Sequence, residues 1–429
     1  MIALIKKTSL YIVALLYISD LPFFFLPFSV RTRFFLGIIG GGVFFLHYLG
    51  KFKLKKEIFY NILWLLALLF PFLATIIIND NIDSWGFRAI LNVFVFFAAF
   101  LVIYLYKKID TIDFEKVVKL IIYIILLNIV IAIVMFTVPQ FKDVIFKLQG
   151  QGTSATDQLY YVSSFRLFGI GNFFFYQAGV FCAWGLVLVT YFLKQKTSLR
   201  WLLIYLIILI SGIFFARTTF IGFLISLLYY IYPNSFNIKE LNAFFKRIII
   251  FFLISALLIL SFNTFFKDLL LENNDIKMVS HAFELFINYS QSGKLESAST
   301  NHLSEMYVYP DNLKTWILGD GRFTAEDGEH YYKGTDVGYL RILFFMGLFG
   351  LLILYAQKFF LIYTTINLKK GKEIQQYKNL IYFLFLLTLI LNFKGFTDLD
   401  IIVFLFFWYI LLEENKKKYK KCNYANTHR

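Results

Sequence analysis

Charge is what this chain has least of. Of its 429 residues only 16% are Asp, Glu, Lys or Arg, whereas 59% are hydrophobic and 55 are Phe. A water-soluble domain of this size could not cover its surface with so little polar material, so the soluble globular classes are excluded and a bilayer is the solvent that fits. Cysteine is scarcer still. The two present, Cys182 inside an apolar run and Cys422 in a basic tail, leave the exposed loops without disulfides. A cleavable leader is not evident either, because the first apolar run is long and no small-residue cleavage site precedes the next one, so the first helix is expected to be an uncleaved signal anchor. The net charge of +15 is spread over many short connections and no nucleic-acid module is visible. No nucleic-acid partner is expected; cationic loops answering anionic membrane lipid account for the charge.

What the chain has in abundance is long apolar runs. Twelve are legible, at about 9 to 29, 34 to 50, 58 to 78, 89 to 106, 117 to 138, 169 to 193, 201 to 215, 218 to 232, 248 to 266, 337 to 357, 380 to 394 and 399 to 412. About 20 helical residues span the roughly 30 Å of hydrocarbon. The runs are continuously apolar rather than alternating, so helices are expected and a barrel is not. The prediction is an all-α, polytopic integral membrane protein: a single membrane domain over residues 1 to 429, with one large extracytoplasmic loop from about 267 to 335.

Lysine placement orients it. Clusters such as Lys51 to Lys56, Lys107 with Lys108 and Lys116, Lys194 with Lys196, Lys369 to Lys378 and Lys416 to Lys421 fall on alternate connections. By the positive-inside rule those connections, and both termini, are cytoplasmic. Arginine does the reverse. Of ten arginines, Arg31, Arg33, Arg88, Arg166, Arg217, Arg322 and Arg341 fall on the opposite side, and only Arg200, Arg247 and Arg429 fall with the lysines. A rule that counts positive charge cannot separate two cations. Their chemistry can, because guanidinium keeps its charge in poorly hydrated places and offers a planar fork to phosphate or carboxylate. An anionic ligand at the outer face is therefore expected. Arg166, in SSFRLFGIGNFFFYQAG, and Arg217, in GIFFARTTFIGF, are pressed hardest against apolar sequence, and Arg341 lies about a turn inside the tenth run. Arg31 and Arg33 read as interfacial, with Asp20 as an ion-pair partner for one of them.

The long loop has two parts. KMVSHAFELFINYS carries Met278, Val279, Phe283, Phe286 and Ile287 at three- and four-residue spacing, which predicts a helix lying on the membrane or on neighbouring spans. Further on, Gly319 and Gly321 flank Asp320 in a turn, Arg322 follows, and Glu326, Asp327, Glu329 and His330 precede Asp336 at the head of the tenth run. Asp336 reads equally well as a helix N-cap and as a catalytic carboxylate. His330, taken as the only histidine near this mouth, is a candidate general base. The spacing of Glu326, Glu329 and His330 matches no tight metal site, and no metal or cofactor is expected. Tyr307, Tyr309, Trp316, Tyr331 and Tyr332 offer rings for sugar stacking.

Together, RLFGIGNFFFYQAGV, FFARTTFIGF, LGDGRF and TDVGYLRILFFMGLFG, set in this topology, resemble the O-antigen and capsule repeat-unit polymerases of the Wzy type and the related O-antigen ligases. The resemblance covers the whole chain in topology, and Arg322 followed sixteen positions later by Gly338 is similar to the spaced Arg and Gly pattern of polymerase outer loops. It implies a metal-independent glycosyltransferase in the bacterial inner membrane. Such an enzyme transfers a growing glycan from undecaprenyl diphosphate to the next undecaprenyl-diphosphate-linked oligosaccharide, with a chain-length regulator as partner. On that likeness Arg166, Arg217, Arg322 and Arg341, with Arg88 as a weaker member, would bind diphosphate, and Asp336 or His330 would act on the acceptor hydroxyl. Ligases usually carry a histidine where the outer loop meets the membrane. Asp336 stands at that place here, which tilts the likeness toward polymerase, with ligase and lipid-linked oligosaccharide flippase as alternatives.

Overall fold

The computed structural model describes residues 2–23, 31–48, 55–110, 113–149, 161–196, 198–233, 242, 277–294, 296–326, 330–368 and 374–427. In chain order the helices are α1 (Ile2–Ser19), α2 (Thr32–Tyr48), α3 (Lys56–Ala67), α4 (Leu69–Asn79), α5 (Arg88–Ile109), α6 (Phe114–Thr137), α7 (Pro139–Leu148), α8 (Phe175–Gln195), α9 (Leu199–Phe215), α10 (Thr219–Ile231), α11 (Lys277–Ser292), α12 (Ala298–Glu305), α13 (Leu313–Leu318), α14 (Gly338–Asn367), α15 (Ile374–Leu391) and α16 (Asp400–Thr427). No strand occurs among the described residues, only isolated bridges joining Pro22 to Arg31 and Thr324 to Tyr331.

Among the described residues, five segments are long and apolar enough to cross a membrane: Lys56–Asn79, Ser84–Ile109, Phe114–Thr137, Phe175–Gln195 and Gly338–Asn367. That is the character of a membrane-embedded protein. Eleven of the twelve runs read from the sequence coincide with helices, and the ninth, 248 to 266, lies outside the described residues. Several bounds differ. The first run was expected to continue to about residue 29, but α1 stops at Ser19, where Asp20 turns the backbone into the left-handed region at φ 51°. Arg33 holds that turn: its Nη1 lies 3.3 Å from Asp20 Oδ2, its backbone N–H donates to Asp20 Oδ1, and its Nε donates to the Tyr17 carbonyl. The expected structural pairing of Asp20 is thus present, with Arg33 as the partner. Residues 169 to 174, expected inside the sixth span, instead form the turn that leads into α8.

The core forms around α8, the most enclosed of the five segments, which packs against α6, α9, α10 and α15. Beside it α5 packs against α1, α2, α3 and α16. There Phe96 and Phe100 meet Trp408 at 4.8 and 4.9 Å, and Phe96 meets Phe404 at 5.2 Å, in the tilted and edge-on geometry that aromatic quadrupoles favour. Small residues let α2 reach α5: a Cβ at Gly37 or Gly40 would lie 2.3 or 2.1 Å from the Phe94 or Phe97 carbonyl oxygen.

The bundle has two chemically distinct ends. At one, Lys107 Nζ donates to the Leu412 carbonyl, and Lys194 Nζ donates to the carbonyls of Tyr229 and Tyr232. At the other, the Asn172 amide donates to the Ser19 carbonyl, Arg31 to Asn172 Oδ1, Leu167 N–H to the Phe214 carbonyl, and Tyr176 hydroxyl to the Leu391 carbonyl. Arg88, Arg166, Arg217 and Arg341 all begin or join helices at that second end.

The second part of the long loop is anchored there through backbone. Within α14, Gly347 takes φ 63° and ψ −170°, a conformation open to glycine alone, and breaks the helix. Just before the break, the carbonyls of Phe344 and Phe345 accept the N–H groups of Asp320 and Gly321. Gly319 and Gly347 make the approach possible: a Cβ at Gly347 would lie 2.1 Å from the Ile317 carbonyl oxygen, and one at Gly319 2.5 Å from that of Phe345. Asp320 completes the turn by accepting from the Thr315 and Tyr332 hydroxyls. Gly347→Ala is expected to destabilise the protein by about 2 kcal/mol or more from backbone strain alone. Melting in detergent should fall by several degrees, whereas Gly42→Ala, with nothing within 4 Å of its added methyl, should leave the midpoint in place.

Candidate functional site at the arginine end

Two connections and two loop helices, α11 and α12, line a single cavity of about 800 Å3, among its residues Arg166, Arg217, His281, Glu284, Ser299 and His302. Arg166 ends a short turn, and the N–H of the next residue, Leu167, is tied to the Phe214 carbonyl at the end of α9. Arg217 sits in the break between α9 and α10, where Gly179 lets α8 approach Ala216 closely. The third wall is α11, the helix expected from its apolar spacing, with the Phe283 ring set edge-on to Phe214 of α9.

The hydrogen bonds are specific. Arg217 Nη1 donates to Glu284 Oε2 at 2.8 Å, and its Nη2 donates to Ser299 Oγ at 2.8 Å. Glu284 uses its other oxygen to accept the Ala298 N–H at the start of α12. Arg166 Nε donates to His281 Nε2 at 2.8 Å. Of the arginines nominated from sequence, Arg166 alone has no carboxylate partner among the described residues. Burial, then the charge of Arg217, lowers its pKa, with Glu284 opposing.

A second group lies around Asp336. Its Oδ1 is 3.6 Å from Arg341 Nη1. The Arg341 guanidinium is held between two rings, 3.7 Å from the Phe323 centroid and 4.0 Å from that of Tyr331, which is stacking that a lysine could not reproduce. Burial raises the Asp336 pKa to about 6 against the opposing charges of Arg341 and Lys394. Lys394 connects the two groups. It lies on the α15 to α16 connection, and burial together with Arg217 and Arg166 lowers its pKa to about 8, opposed by Asp336. That connection is braced by Tyr176, whose hydroxyl meets the Leu391 and Gly395 carbonyls and Thr397 Oγ1, and by Gln177, which donates to the Phe396 carbonyl.

Several expectations need correction. Asp336 is not an N-cap: α14 starts at Gly338, its N-cap is Val337, and no side chain caps it. Its carboxylate instead faces Arg341. His330 is not the only histidine at this mouth, because His281 and His302 line the cavity while His330 is exposed on the loop. Arg322 is not brought into the cavity. It bonds to Glu326, four residues on, and lies near Asp320 and the Tyr332 hydroxyl. Arg88 pairs with Asp398 at 3.4 Å, over the Phe396 ring. Asp327 and Glu329 lie outside the described residues. All five of the proposed sugar-stacking rings have internal partners: Tyr331 on Arg341, Tyr332 on Asp320, Tyr307 on the Phe393 carbonyl, and Trp316 stacked on Tyr309.

No family model matches the sequence, and no curated protein matches it. The site therefore has to be read from its own chemistry. Sequence reasoning missed His281 and Glu284, although a signal was present. Ser280, His281, Glu284 and Asn288 recur at helical spacing and form the polar face opposite the apolar one. The apolar half alone was used to place the helix.

Proposed function

We propose that the protein is a metal-independent glycosyltransferase of the repeat-unit polymerase type, acting at the arginine end on undecaprenyl-diphosphate-linked oligosaccharides, with that end facing away from the cytoplasm and both termini inside. The observation that carries this reading is that Arg166 and Arg217, from two separate connections, line one cavity with room for a diphosphate and sugar. In the reaction the bond between the donor's anomeric carbon and the diphosphate oxygen breaks. A glycosidic bond forms to an acceptor hydroxyl, whose proton passes to a carboxylate. Undecaprenyl diphosphate leaves, and guanidinium groups stabilise its growing charge.

Asp336 is the base in this reading. Its pKa of about 6 leaves it ionised at neutral pH yet basic enough to take a proton. Only the carboxylate accepts, so the rate should be full above pH 6 and fall about tenfold per unit below it. Asp336→Asn should lower the rate by about two orders of magnitude and flatten that limb. An unchanged acid limb in the Asn variant would remove Asp336 from the role.

A ligase is the second reading, favoured by one observation: a histidine of the outer loop, His281, lies in the arginine cavity. Electrophoresis of surface polysaccharide from a deletion strain separates the possibilities. Loss of a polymerase leaves single repeat units on display, loss of a ligase accumulates long carrier-linked polymer, and loss of a flippase traps units inside.

A further inference from the structure

Arg166 decides the protonation state of its neighbour. A guanidinium has donors only, so the bond from Arg166 Nε to His281 Nε2 requires a lone pair on Nε2. The single proton of the neutral ring must then sit on Nδ1. In that state His281 has no free basic nitrogen, and its remaining polar function is one N–H donor. No partner for Nδ1 exists among the described residues, the ring lines the cavity, and Phe165 packs edge-on against it at 5.1 Å.

We infer that His281 is an anion-binding residue, a neutral imidazole fixed in the Nδ1–H tautomer that aligns Arg166 through Nε2 and gives its Nδ1–H to a phosphate oxygen held by Arg166 and Arg217. The inference rests on the diphosphate reading of the cavity and excludes His281 as a general base. A neutral donor suits the place. A third cation beside two arginines would be repelled, whereas an uncharged N–H adds a directed bond to phosphate at no such cost. The charged groups facing the ring agree: Arg166 and Arg217 oppose its protonation, Glu284 alone favours it, and His302 also lines the cavity. Burial and the two arginines push its pKa down to about 4, so it stays neutral through the physiological range.

Two substitutions divide the two nitrogens. A glutamine amide oxygen reaches the place of Nε2 and can still accept from Arg166, but offers nothing at Nδ1. A phenylalanine keeps a ring in place but offers neither an acceptor to Arg166 nor a donor to the phosphate. The full-length protein in nanodiscs, labelled with 15N-histidine, gives the tautomer, the His281 signal being the one that His281→Gln removes. Inorganic pyrophosphate is the binding probe. The expected result is an Nδ1–H neutral ring at both pH 5.5 and pH 8, with pyrophosphate affinity about tenfold weaker in His281→Gln and weaker again in His281→Phe. An Nε2–H ring, an imidazolium at pH 5.5, or wild-type affinity in His281→Gln would overturn the inference. Arg166→Lys and Arg217→Lys report on the underlying reading: if they bind pyrophosphate as the wild type does, the diphosphate assignment itself falls, whereas loss in them with full binding in His281→Gln removes only the role of the histidine.

Discussion

Exchanging Arg166 or Arg217 for lysine is expected to abolish polymer while the protein still inserts and accumulates. The exchange keeps the charge and removes the fork. Arg217 uses both Nη atoms, one on Glu284 and one on Ser299, so its plane is fixed before any ligand arrives. Arg166 is oriented through Nε by His281, which leaves its two Nη groups directed away from that bond. Lysine has no planar fork with which to keep either arrangement. Each charge-assisted hydrogen bond to a phosphate is worth about 1.5 to 3 kcal/mol, so losing one or two costs roughly 10- to 1000-fold in leaving-group stabilisation. Gel profiles of surface polysaccharide, normalised to protein in the membrane fraction, give the measurement. Polymer of normal length and amount in both variants would end the diphosphate assignment.

The largest loss of stability is expected from Lys358→Met. Lys358 Nζ lies 2.5 Å from Asp398 Oδ1 and 3.2 Å from Asp400 Oδ1, and the three side chains are only 4%, 7% and 4% exposed. Removing the cation leaves two buried carboxylates, one of which retains Arg88. The stranded partner is Asp400, whose Oδ2 already has no hydrogen bond among the described residues. Breaking a buried ion pair from one side costs about 3 to 5 kcal/mol, which is enough to empty the membrane of folded protein. Adding Asp400→Asn to Lys358→Met should restore most of the level, because the uncompensated charge goes. A double variant no better than the single one would mean that Asp400 is not the group that suffers.

Much of this was legible in advance. Eleven of the continuous apolar runs located helices, although not all of their bounds, because apolarity alone does not mark where a turn such as that at Asp20 ends a helix. Separation of lysine from arginine along the sequence foretold two unlike ends, and the tightest-held arginines, Arg166 and Arg217, do share a cavity. Their partners were not legible, because His281 and Glu284 come from a loop helix far along the chain and nothing local links them to either arginine. Position alone left Asp336 open between a helix cap and a catalytic carboxylate; the helix starts two residues later, at Gly338, and the carboxylate faces Arg341. Arg322 shows the opposite case. Glu326 lies only four residues on, weighed in the sequence as a metal ligand, and the structure pairs it with Arg322 locally.

The docking of residues 319–321 against the interruption at Gly347 has a consequence for ancestry. The two bonds that seat it on α14 run from main chain to main chain and require only the glycines that permit the approach, while Asp320, Thr315, Tyr332 and Asn79 brace the turn from outside. The letters of α14 on either side of the interruption can therefore change while the anchor survives. Distant cousins of this protein are better sought by a left-handed glycine lodged in the middle of an oily helix than by alphabetic similarity.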